Sequence, residues 1–117
     1  MRHGDAPLSV SADAGHIGDS LLELVRGLES RHPGELIGVV ASVIDAEELA
    51  ASLVATSASV IPAPDARGLE FDSVIVVDPE GIGAANEAGL RDLYVAQTRA
   101  TKRLILLHPE RVPALIG

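Results

Sequence analysis

Val74 to Val77, within the run Ser73 to Asp78 (SVIVVD), are four consecutive β-branched aliphatic residues closed by Pro79. Successive side chains of a strand leave opposite faces, so a strand of this kind needs apolar cover on both sides. That requirement points away from a sheet with one face in water and toward a parallel sheet between layers of helices. Glu35 to Ser42, ELIGVVAS, has the same character behind the turn residues His32-Pro33-Gly34, and Leu104 to Leu107 and Ser59 to Ile61 add two shorter strands. With one Phe and one Tyr in the chain, the core falls to Val, Ile, Leu and Ala.

The intervening segments carry helical spacing. Ser20 and Glu23 stand at capping-box distance, and Leu21, Leu24, Val25 and Leu28 follow as an i, i+3, i+4, i+7 stripe. Asp45 and Glu48 open a second helix with Leu49, Leu53 and Val54 inward, and Leu90 to Thr101 reads as a third after a Gly-containing loop from Gly81 to Gly89. The PAP after Ile61 interrupts regular pairing. Strands alternating with helices predict an α/β fold with right-handed crossovers. A chain of 117 residues holds one such domain: residues 19–117, after a boundary segment 1–18 that is either partly disordered or holds a short strand at Leu8 to Ser11.

Composition removes several functions. A net charge of −8, with nine Lys and Arg, leaves little basic surface for a phosphate backbone, so any nucleic-acid contact is local. There is no cysteine, and His3, His16, His32 and His108 lack ligand spacing, so no metal site is expected. Asp72 and Asp78 read as a turn residue and a strand-end residue rather than a catalytic pair. MRHGDAP contains no apolar signal region, and no stretch reaches the roughly 20 apolar residues of a membrane span. A soluble, cytoplasmic protein is expected.

Two segments remain, each directly before a buried strand: Ala66 to Asp72, ARGLEFD, and Leu93 to Lys102, LYVAQTRATK. In this order they resemble motifs V and VI of UvrD/Rep-type superfamily 1 helicases, whose patterns run close to KGLEFD and YVAxTRA. The resemblance extends from about Val60 to His108 and is nearest to the HelD-like branch, through FDSVIVVDPEGI and DLYVA. It implies the second RecA-like domain of such a helicase, a parallel sheet of the P-loop NTPase type. In that family ATP sits between two RecA-like domains, the first supplying the phosphate loop and the magnesium carboxylate. This chain has no G-x-x-x-x-G-K-S/T loop and no DExx-like run after an apolar strand. It is expected to be inactive alone and to bind neither ATP nor Mg2+ stably outside the full-length protein.

The resemblance assigns roles to individual residues. Arg99 corresponds to the motif VI arginine, which stabilises charge on the γ-phosphate during transfer. On a helix running to Thr101 it projects opposite Leu90, Leu93 and Gln97, on an outward face shared with Val95. Glu70 corresponds to the ribose-binding glutamate, and Gly68 to the glycine that lets backbone approach phosphate or DNA. Arg67 stands where the family usually has Lys, a nucleic-acid or phosphate contact altered by the planar guanidinium. Gln97, on the expected core face, needs a hydrogen bond or an edge position; Thr98 and Tyr94 support the site, with Tyr94 packed on the sheet, and Phe71 anchors the core. Partners implied are the first RecA-like domain, and single-stranded DNA or, for HelD-like relatives, RNA polymerase. With Pro64, Asp65, Ala66 and Arg67 before Gly68, the isolated domain is expected to bind DNA negligibly. The competing reading is a non-catalytic doubly wound interaction module.

Overall fold

The computed structural model describes residues 7–84 and 87–110. Residues 1–6 of the expected boundary, 85–86 of the expected loop and 111–117 of the expected domain lie outside the described residues. Strands β1 (Leu8–Asp13), β2 (Ile37–Ala41), β3 (Ser59–Pro62), β4 (Phe71–Val77) and β5 (Ala100–Glu110) form one sheet in the order β1-β5-β4-β2-β3. Every pairing is parallel. Helices α1 (Ile17–Arg31), α2 (Val43–Ser52), α3 (Pro79–Ala84) and α4 (Gly89–Gln97) connect them. None of the described helices is long and apolar enough to cross a membrane.

The alternation within the strands divides the core between the two faces. Val39, Ile75 and Leu107 point with Ile37, Ala41, Val77 and Ile105 to the side covered by α1 and α2, whose Leu21, Val25, Leu28, Ala46, Leu49 and Leu53 close that layer. Val40, Val74, Val76 and Leu104 point the other way, under Ile82 of α3, Ala96 of α4, and the Ala63–Asp65 3₁₀ turn. Burying each large aliphatic contributes about 1.5–3 kcal/mol, so the central strands β2 and β4 hold the fold. Gly38 serves the second layer: a Cβ there would lie 2.5 Å from the Phe71 ring, which packs against this cluster as expected.

Several local expectations are corrected. Residues 8–13, where the sequence offered a short strand at Leu8 to Ser11, form the edge strand β1, paired with Ile105 to Glu110 of β5. The Ser20 box is not used, because α1 already starts at Ile17, behind a 3₁₀ turn whose Gly15 N–H is capped by Asp13 at 3.0 Å. Ser42 caps α2 by accepting from Asp45 N–H, and the helix ends at Ser52, which leaves Val54 83% exposed rather than inward. The expected Gly81 to Gly89 loop begins with α3, capped by Asp78 accepting from Gly81 N–H at 3.1 Å.

The largest correction concerns α4. It ends at Gln97, and Thr98 and Arg99 form a turn into β5, which starts at Ala100. Thr98 N–H reaches back to Tyr94 and Val95 carbonyls, Arg99 N–H bonds the Ala96 carbonyl, and the Thr98 hydroxyl donates to the Val95 carbonyl. A hydroxyl competing for helix carbonyls ends the helix where Ala, Arg and Lys alone would continue it. The face also differs from the projection. Gly89 and Ala96 are buried, Val95 packs against the core, and Leu90 and Tyr94 are exposed. Tyr94 therefore does not pack on the sheet.

Candidate functional site

Because all strands run the same way, the segments preceding β4 and β5 emerge side by side at the amino-terminal edge of the sheet. Ala66 to Leu69 is a turn closed by Leu69 N–H to the Ala66 carbonyl at 3.2 Å. Gly68 sits at its third position with φ +84°, the type II pattern that favours glycine. A Cβ at Gly68 would meet nothing within 4 Å. The glycine is thus required by the turn and leaves its backbone open to an incoming group. Arg67, Gly68, Leu69 and Glu70 are all exposed, and among the described residues no side-chain partner is recorded for Arg67 or Glu70.

Arg99 joins the two motif segments. Its carbonyl accepts from Phe71 N–H at 3.0 Å, and its Nη1 donates to the Leu69 carbonyl at 3.3 Å. Nε donates to the Val95 carbonyl at 3.2 Å and Nη2 to Thr98 Oγ1 at 3.0 Å. These bonds use three of the five N–H groups of a guanidinium. One N–H on each terminal nitrogen remains for a further acceptor. Arg99 stands in the turn beyond α4, not on its outer face, and is half-buried. Gln97 and Thr98 are half-buried at the same turn, while Tyr94 lies one helical turn back and exposed.

A second group on this edge was not foreseen from the sequence. Glu35, just before β2, accepts from Lys102 Nζ and Arg103 Nη1, each at 2.8 Å. Arg103 also reaches Ser73 Oγ and His32 Nδ1, both at 3.0 Å. Asp72 accepts from Leu36 N–H at 2.7 Å and stands 3.6 Å from Lys102. The bonds from Lys102, then Arg103, hold the Glu35 carboxyl at a pKa of about 2, and Glu35 in turn raises that of Lys102. The network ties β2, β4 and β5 together and, through Asp72 and Lys102, includes the ends of both motif segments. Its only sequence signal was charged residues flanking apolar strands, and its partners are up to 68 residues apart.

The opposite, carboxyl edge holds a cavity of about 250 Å³ between Gly15, Gly18, Ser52 and Pro109. Asp45, Glu48 and Asp78 line it, a charge that repels polyphosphate. Asp72 and Asp78 lie at opposite ends of β4 and form no pair. Among the described residues no group of three His, Asp or Glu is placed to hold a metal ion.

Residues 58–107, which include both motif segments, match the family described as the UvrD-like helicase C-terminal domain. No curated protein matches the chain. The solved C-terminal domain of a possible DNA helicase from Lactobacillus plantarum WCFS1 has a TM-score of 0.74 and 23% identity, over 97% of this chain and 80% of that one. At this identity the likeness speaks for the fold. By family match over residues 58–107, and by the fold of nearly its whole length, the chain is like a UvrD-like helicase C-terminal domain.

Proposed function

We propose that this domain is half of an ATP site, the part of an ATP-dependent DNA helicase or translocase that supplies Arg99 to a nucleotide held by a first RecA-like domain. The observation that carries the reading is the meeting of the two motif segments on one sheet edge, with Arg99 bonded to Leu69 and two terminal N–H groups left over. Those donors fit the oxygens of a γ-phosphate. The exposed Glu70 carboxylate fits sugar hydroxyls as an acceptor, and the open Gly68 backbone fits close approach. The phosphate loop and the magnesium carboxylates belong to the partner domain. Closure of the two domains on ATP would bring Arg99 to the phosphate, and hydrolysis would release it. Arg67 is a secondary phosphate or nucleic-acid contact, and the isolated domain, cytoplasmic like its parent, neither hydrolyses ATP nor holds it. Arg99→Ala in the full-length protein is expected to abolish ATP turnover while leaving ATP binding nearly intact; unchanged turnover would refute the assignment and favour a non-catalytic interaction module.

A narrower reading gives the parent a HelD-like role on RNA polymerase. The net charge of −8, with few cations for a DNA track, is compatible with it. It predicts that RNA polymerase stimulates ATP turnover more than single-stranded DNA does; stimulation by DNA alone would return the parent to translocation on a strand.

A further inference from the structure

The end of α4 builds a cradle for one edge of the Arg99 guanidinium. Nε and Nη2 lie on the same edge of the guanidinium plane. They donate to the Val95 carbonyl and to Thr98 Oγ1, at 3.2 and 3.0 Å. The two acceptors are themselves linked, because the Thr98 hydroxyl donates its proton to the Val95 carbonyl at 2.8 Å. A hydroxyl both donates and accepts, so Thr98 closes a ring that neither a carbonyl nor an apolar side chain could close. The same hydroxyl bond helps end the helix at Gln97, which places Arg99 in the turn rather than on the outer face of α4.

We propose that Thr98 is a positioning residue for Arg99, fixing the Nε–Nη2 edge so that the remaining N–H groups stay presented to phosphate. This rests on the reading of Arg99 given above. An unrestrained arginine is a long flexible side chain that must be ordered at each turnover, whereas this one is held before ATP arrives. Thr98 touches no nucleotide in this account. Its effect belongs to kcat, where positioning in the transition state counts, and not to KM, because Thr98 makes no contact with the bound nucleotide.

The test compares Thr98→Val, which keeps the branched shape without the hydroxyl, with Thr98→Ser, which keeps the hydroxyl. In the full-length protein, Thr98→Val is expected to lower kcat by about tenfold or more, as loss of a hydrogen bond to a charged group implies. KM for ATP should stay within about twofold, and Thr98→Ser should recover most of the rate. In the 117-residue chain, NMR should find the Arg99 Nη2 protons, one of which bonds Thr98 Oγ1, exchanging faster with solvent in Thr98→Val than in wild type or Thr98→Ser. The backbone amide spectrum should be preserved outside the turn from Val95 to Ala100. A wild-type kcat in Thr98→Val, beside an inactive Arg99→Ala, would overturn the Thr98 role alone. Unchanged exchange of the Nη2 protons would do the same even if turnover fell. An active Arg99→Ala would remove the arginine assignment itself, and the Thr98 role with it.

Discussion

The two edges of the sheet differ in charge and in what they leave open. At the amino-terminal edge, Arg67, Arg99, Lys102 and Arg103 gather over the starts of β4 and β5, and Glu35 and Asp72 neutralise Lys102 and Arg103. At the carboxyl edge, Asp45, Glu48 and Asp78 surround a cavity. In open parallel sheets, anionic ligands ordinarily sit at the carboxyl edge, against helix amino-termini. Here that edge is acidic and the cations lie at the other one. The contrast suits a domain that meets a phosphate already cradled elsewhere, offering an arginine from the opposite end of its own sheet.

The comparison breaks most easily at Arg99. Its loss in the full-length protein should reduce ATP turnover by roughly 10³-fold or more, the range of arginine-finger removals. Single-turnover hydrolysis checks this, and a loss below tenfold would mean that the amino-terminal edge is not the catalytic one.

The Glu35 network gives a smaller effect, visible in acid. Glu35 has a folded pKa of about 2 against an ordinary value of 4.5. Its stabilising contribution is therefore complete above about pH 4.5 and is lost as pH falls toward 2. Melting temperatures of wild type and Glu35→Gln, followed from pH 6 to pH 2, should converge, with wild type falling more steeply below pH 4.5. Parallel curves would show that Glu35 bears no part of the acid sensitivity.

The smallest effect should come from the other edge. Asp45→Asn with Glu48→Gln removes two carboxylates from the cavity, and ATP turnover should stay within about twofold, as expected for surface changes away from the site. A larger change would assign the carboxyl edge a share in the chemistry.

The central strands were legible because their chemistry is repetitive. Val74 to Val77 can be satisfied only by cover on both faces, and the spacing of Leu21, Val25 and Leu28 places them on one buried stripe. What escaped depends on single bonds or distant partners. TRATK has helical composition, yet one hydroxyl bond from Thr98 helps turn the chain after Gln97, which moved Arg99 off the helix; the buried face of α4 runs instead through Gly89 and Ala96 and leaves Leu90 exposed. Ser20 and Glu23 have capping spacing, but the start of α1 was set earlier, at Ile17. The Glu35 network joins residues brought together only when β2, β4 and β5 align. The motif residues were visible as a pair of segments. That Arg99 bonds the Leu69 carbonyl and so joins the two segments required the fold.

The central claim is that Arg99 recognises phosphate in transfer rather than bound nucleotide, and its sharpest test compares two ligands. Binding of ADP and of ADP with aluminium fluoride, which imitates the transferring phosphoryl group, should be measured on the full-length protein with and without Arg99→Ala. The account predicts that the variant binds ADP as wild type does and loses about 10²-fold or more in affinity for the transition-state mimic. Equal affinity of the variant and wild type for the mimic would contradict it.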